Sequence, residues 1–348
     1  MDRHFDNFAF MRITAAALVI LSHVSTLLGK GPYLGTLGLT GVVIFFAISG
    51  YLVTLSWDRD PSPYRFMHRR ALRVLPGLIV SVAVCALVVG PIFTANQLID
   101  YFSDPAFIAF CKNIFLFPIN SSLPGMFLSN PLKFIVNGPL WTLPMEIAMY
   151  ASLVLLATLS MWGRKQIAFW LAAALISSVF CLQLWPNVGA SPKFLTMNFL
   201  QLLFSATAFC AGALMARLPK SVLCWWAFIP VTTLIAMRNH HTDVAIWIIV
   251  FVPYAAISLA SKSTPYLRKA DRFGDPSYGV YIYSFPIQQM LVHSFPDMEI
   301  YTFIALSLAL PCIAGLSSWH LIEKQALIFK PARKPVKKVV IAQSADQA

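Results

Sequence analysis

Five residues of this sequence combine a reactive side chain with a telling position: Arg12, His23, Arg70, Arg73 and Glu146. Arg12 and His23 interrupt the apolar run FAFMRITAAALVILSHVSTLL at residues 8–28. An α-helix turns ~100° per residue, so the eleven steps between them close about three turns plus 20°. The guanidinium and the imidazole therefore stand on one face of one helix, roughly 16 Å apart along its axis. Ionisable groups inside membrane helices face a bundle interior or a watered cavity, and an imidazole placed there serves proton transfer. The bland alternative has Arg12 snorkelling to the surface and His23 bonded to a neighbouring helix.

Arg70 and Arg73 lie in RFMHRRALRVLPG, spaced so that they share a face if a helix has begun there. Guanidinium forks match phosphate oxygens. Arginines beside a span also act as topology signals and attract headgroups, and on these residues alone that reading comes first. Glu146 closes NGPLWTLPME at the entrance of a further apolar run, in the expected outer third of the membrane. A carboxylate there needs a partner, and His23, Arg12, a substrate or a structural donor on another helix all qualify.

The elements that must hold these residues are membrane helices. The 348-residue chain is 58% hydrophobic and only 11% charged, against ~25% charged in a soluble domain. A span needs ~20 apolar residues. Runs meeting that demand lie at about 8–28, 37–56, 74–94, 139–160, 166–184, 197–216, 222–238, 242–260, 277–294 and 300–322. The expected fold is an all-α polytopic bundle of about ten transmembrane helices. Its membrane domain covers 1–330, and a basic tail at 331–348 is expected to be disordered. The first run lacks a small-residue cleavage site after it and is read as a retained helix. The stretch 107–119, with Lys112 inside and proline at its end, is expected to be re-entrant or interfacial.

Charge placement tests this layout. With both termini cytoplasmic, the inner side holds all 26 Lys and Arg residues except Lys30, Lys112, Lys133, Lys193, Arg238 and the intramembrane Arg12. That asymmetry obeys the positive-inside rule and explains the net charge of +12 without nucleic acid. The inner loop 57–73 and the outer loop 95–138 are the segments long enough to carry function. Gly35, Gly38 and Gly41 read as helix-packing positions, and His320 with Glu323 as a local pair one turn apart. The six cysteines show no C-x-x-C spacing, and neither a disulfide framework nor a metal site is read from them. There is no P-loop, G-x-S-x-G, G-x-G-x-x-G or H-E-x-x-H motif.

Six segments in order resemble the bacterial membrane acyltransferase-3 family, the O-acetyltransferases of O-antigen and exopolysaccharide. NFAFMRITAAALVILSH is similar to the family's Arg-x10-His first helix, and GVVIFFAISGYLVTLSW to its Phe-Phe-x-x-Ser-Gly helix. RFMHRRALRVLPGL supplies Arg-x-x-Arg at Arg70 and Arg73, and VNGPLWTLPMEIAMY the Trp-Thr-Leu-x-x-Glu segment. DPSYGVYIYSFPIQQ and SWHLIEK complete the set. Ala9 stands where relatives often have Asp, and Gln325 where they often have Pro; neither touches the Arg-x10-His pair.

The resemblance implies an inner-membrane, multi-pass O-acyltransferase of bacteria. Its donor would be cytoplasmic acetyl-CoA, and its acceptor a hydroxyl of a polysaccharide or lipid-linked glycan. It raises Arg70 and Arg73 to contacts for the donor's phosphates and makes His23 the catalytic candidate, with Arg12 and Glu146 beside it. His23 either acts as general base or is itself acylated. Two other readings compete: a proton-coupled transporter or flippase using Arg12, His23 and Glu146 as its path, and a different membrane enzyme on lipid-linked sugars.

Overall fold

A computed structural model describes residues 7–31, 34–184, 191–194, 197–223, 241–270, 272 and 274–331. The main helices are α1 (Phe8–Leu27), α2 (Gly35–Arg59) and α3 (Pro63–Phe93). Two short helices follow, α4 (Leu98–Ser103) and α5 (Pro105–Cys111). Next come α6 (Thr142–Thr158), entered through a 3-10 turn at Gly138–Trp141, and α7 (Arg164–Leu184). A two-residue antiparallel pair, β1 (Lys193–Phe194) with β2 (Met197–Asn198), leads into α8 (Phe199–Met215). The chain closes with α9 (His241–Ala260), α10 (Ser277–Ser294) and α11 (Ile300–Phe329). Among the described residues six helices are long and apolar enough to cross a membrane, and the chain is an all-α polytopic membrane protein. Of the ten expected spans, the seventh falls almost wholly outside the described residues, as does the tail beyond 331. Each of the others coincides with a helix.

One expectation is corrected. The inner stretch 57–73 is not a loop: α2 runs to Arg59 and α3 begins at Pro63, leaving a three-residue turn. Pro63 suits the first helical position, where its missing N–H costs nothing. Arg65 and Arg69 are tolerated in the first turns of α3 because both bond the buried Asp60 carboxylate, Arg69 at 2.8 Å. Hydrogen bonding from Arg65, then from Arg69, holds the Asp60 carboxyl below the ordinary carboxylate range. The stretch 107–119 falls on α5 and a 3-10 turn rather than on a span.

Helix α2 sits at the centre, against α1, α8 and α9, while α10 packs on α1, α3 and α11. Lipid supplies little force to press apolar helices together, so close approach depends on small residues. A methyl at Gly50 would overlap the Phe209 carbonyl, and one at Gly212 the Ala47 carbonyl. Gly38 and Gly41 face Ser22 and Ala15 of α1 as expected, whereas nothing lies against Gly35. Both α3 and α11 contain a π turn, at Cys85–Val89 and Trp319–Glu323. In α3 the Tyr101 hydroxyl donates to the Ala86 carbonyl at 2.8 Å and satisfies the loosened ladder. In α11 the π turn carries Glu323, only 1% exposed, into the bundle.

Candidate active site

A cavity of about 160 Å³ opens between α1, α2, α3, α6 and α10. Arg12 enters it from α1, Phe45 and Ser49 from α2, and Arg70 and Arg73 from α3. Helix α6 contributes Thr142, Glu146 and Tyr150, and the α10 side contributes Asp275, Tyr278 and Tyr281. Four of the five residues singled out in the sequence thus line one chamber. His23 is not among its lining residues.

Charge is arranged as a chain across the mouth. Arg12 Nη2 lies 3.0 Å from Asp275 Oδ2, which also takes Arg73 Nη2 at 2.7 Å. Arg73 Nη1 reaches Glu323 Oε2 at 3.4 Å, and its guanidinium stands 5.5 Å from the Trp319 ring centre. Ser277 donates to Asp275 Oδ1 at 2.6 Å, and Ser318 to Glu323 Oε1 at 3.1 Å. Glu323 therefore turns toward Arg73 and Ser318, not toward the local pairing with His320 expected from the sequence. Burial pushes the Asp275 carboxyl up, but Arg12 and Arg73 override it and hold the group below the ordinary carboxylate range.

Arg70 and Arg73 share a face, as their spacing requires, yet their surroundings differ. Arg73 is held by two carboxylates. Arg70 has a contact of 3.5 Å to Ser56 and lies 5.6 Å and 5.9 Å from the ring centres of Phe66 and Tyr150. Its Nε is buried without a hydrogen-bond partner. A guanidinium so placed has donor capacity to spare for an anion.

Glu146 pairs neither with His23 nor with Arg12. It accepts from the hydroxyl of Tyr150, one turn along α6, and the Tyr150 oxygen lies 3.0 Å from Ser49 Oγ. A phenol has one proton to donate. Because Tyr150 gives it to Glu146, Ser49 is the donor in the second bond. The series runs Ser49 to Tyr150 to Glu146, and Ser49 and Tyr150 escaped the sequence reading as site residues. Tyr150 was within reach of it, standing four residues after Glu146 on one helix face.

His23 occupies a separate setting. Its ring meets Phe285 edge-on at 5.0 Å, and its Nδ1 is buried without a partner. Gln288, one turn beyond Phe285, donates to the Ile20 carbonyl of α1 at 3.1 Å. One turn before Phe285, Tyr281 lines the cavity and donates to the Pro139 carbonyl at 2.8 Å. Its oxygen is also 2.8 Å from Thr142 Oγ1. One turn of α10 thus carries both a residue that lines the chamber, Tyr281, and the residue that meets the imidazole, Phe285.

The sequence pattern described as "Acyltransferase domain" matches residues 5–319, nearly the whole chain and all of these residues but Glu323. The chain belongs to the acyltransferase-3 family. It is similar to the O-acetyl transferase of Shigella phage Sf6, 31% identical over 91% of this chain and 94% of that one. It is also similar to Nodulation protein 10 of Rhizobium leguminosarum bv. viciae, 28% identical over 93% of this chain and 94% of the relative. No solved structure matches the chain. Family membership makes the protein a multi-pass membrane acyltransferase, and it decides against the transporter reading. The reaction therefore has to be assembled from the chamber, its charges and His23.

Proposed function

We propose that this acyltransferase moves an acetyl group from cytoplasmic acetyl-CoA to a hydroxyl of an envelope or secreted polysaccharide, in the inner membrane of a bacterium. The observation that carries the donor assignment is Arg70: among the described residues it forms no salt bridge, and it lines a chamber whose other two arginines, Arg12 and Arg73, are held by Asp275. A phosphate at the mouth would meet a fork rather than a closed ion pair. The chamber supports a short acyl group. At about 160 Å³ it suits an acetyl thioester better than the nucleotide of its carrier. The carrier's bulk stays outside, toward the end crowded with Arg65, Arg69, Lys262 and Lys324, which the positive-inside rule assigns to the cytoplasm.

A thioester is already activated, so the protein has to supply a nucleophile or base and neutralise an oxyanion. Arg70 brings positive charge to the chamber for the second task. His23, packed on Phe285 and not lining the chamber, suits the acceptor end, as base toward the glycan hydroxyl or as acyl carrier. The acetyl group and the oxygen acceptor draw support from the relative named O-acetyl transferase. Purified protein in lipid, supplied with radiolabelled acetyl-CoA and host glycan, tests the proposal: label must pass to the glycan. Absence of that transfer, together with glycan acetylation unchanged in cells lacking the protein, would reject it.

A further inference from the structure

The chamber that receives the donor excludes His23, so the first acceptor of the acyl group has to be sought among the groups inside it. Among the described residues, Ser49 is the one aliphatic hydroxyl of the chamber that donates into a proton relay. Thr142 is engaged with Tyr281, and Ser277 gives its proton to Asp275. Ser49 Oγ donates to Tyr150 Oη at 3.0 Å, and Tyr150 donates to the Glu146 carboxylate. Nucleophile, intermediary and terminal base thus stand in order, with every donor pointing the same way. Position adds to the case. Ser49 precedes Gly50, whose missing side chain lets α2 touch the Phe209 carbonyl of α8, so the backbone behind the hydroxyl is pinned. Arg70 lies over the Tyr150 ring and faces the same space.

We propose that Ser49 is an acyl-accepting nucleophile that Tyr150 and Glu146 activate. This rests on the donor reading above. Ser49 Oγ forms a bond to the acyl carbon while its proton passes to Tyr150 Oη and the proton of Tyr150 passes to Glu146. The carbon–sulfur bond of the thioester then breaks, and the leaving thiolate takes the proton from Glu146, so free CoA departs as the thiol and the relay is restored. The Ser49 ester is next attacked by an acceptor hydroxyl, whose proton passes to Ser49 Oγ.

The test uses the full-length protein in detergent with radiolabelled acetyl-CoA, a rapid acid quench and peptide mass spectrometry. His23→Ala serves to block onward transfer. The expected result is one acetyl group on the peptide carrying Ser49, accumulating in His23→Ala and lost in Ser49→Ala. Ser49→Ala and Tyr150→Phe should each lower the rate of CoA release by about a hundredfold or more while donor affinity changes less than about threefold. Ser49→Cys, nearly isosteric, should carry the label as a thioester that neutral hydroxylamine removes. Label on His23 in the wild type with CoA release undiminished in Ser49→Ala overturns the assignment. Donor binding without label on Ser49 in His23→Ala also overturns it and leaves the donor reading standing. If the wild type binds no acetyl-CoA, the donor reading fails and the assignment of Ser49 falls with it.

Discussion

Arg73 Nη2 and Asp275 Oδ2 lie 2.7 Å apart although 202 residues separate them in the chain. The same carboxylate oxygen takes Arg12 at 3.0 Å, so one anion holds two cations that enter from α1 and α3. This bond fastens the arginine end of the bundle, and it separates the role of Arg73 from that of Arg70.

Asp275→Asn should destabilise the protein. Removing the carboxylate leaves Arg12 without its partner and Arg73 with Glu323 alone, each arginine about a quarter exposed or less. Uncompensated charges in such settings cost on the order of 3 kcal/mol, and thermal unfolding in detergent should show a clear drop in midpoint. A midpoint equal to that of the wild type would mean that the clamp contributes nothing.

The same carboxyl predicts a pH dependence. Its folded-state pKa is held below that of the unfolded chain. A depressed acid stabilises fully above its unfolded value, about 3.9, and loses that contribution as pH falls toward the folded value. Stability from this group should be flat from neutrality to about pH 5 and decline in more acid solution. The wild-type advantage over Asp275→Asn, followed by unfolding midpoints across that range, should shrink only at the acid end.

Arg70 and Arg73 should separate under mutation. Arg70→Ala removes the guanidinium with spare donors and should weaken acetyl-CoA binding about tenfold or more, since hydrogen bonds to charged groups contribute roughly 1.5–3 kcal/mol. Its unfolding midpoint should stay near that of the wild type. Arg73→Ala takes one of two arginines from Asp275 and the cation from Glu323, and should act chiefly on stability. Calorimetric titration with CoA beside a melting curve reads both, and the reverse pattern would exchange the two roles.

His23→Ala should leave donor affinity within about twofold, because the imidazole does not line the chamber proposed for the donor. Acetylation of the glycan, read by NMR or mass spectrometry, should disappear. A large loss of CoA affinity would instead bring His23 into contact with the donor.

Gly212→Ala tests the packing around α2. The added methyl would run into the Ala47 carbonyl, backbone that cannot swing aside. Overpacking of this kind costs about 1–3 kcal/mol, so the unfolding midpoint should fall even though no cavity residue is altered.

Much of this was legible in order of residues. Lipid demands long apolar segments with their backbone bonds satisfied internally, so the helices could be located by composition. Helical period alone put Arg12 and His23 on one face, and Arg70 with Arg73 on another. The start of α3 was hidden for an electrostatic reason. Hydropathy weighs Arg65 and Arg69 as isolated charges, whereas both are neutralised by Asp60 within the same turn region.

Tertiary structure decided the rest. Asp275 and Glu323 have partners on α3 some 202 and 250 residues away, a distance at which no local pattern speaks. Period fixes the direction in which Glu146 points but not what waits there, and Tyr150 rather than His23 receives it. It likewise sets Arg12 and His23 in line along α1 without revealing that Arg12 lines the chamber while His23 packs on Phe285 of α10. A helix determines the azimuth of its own side chains; which neighbours fill the space before them depends on how the whole bundle packs.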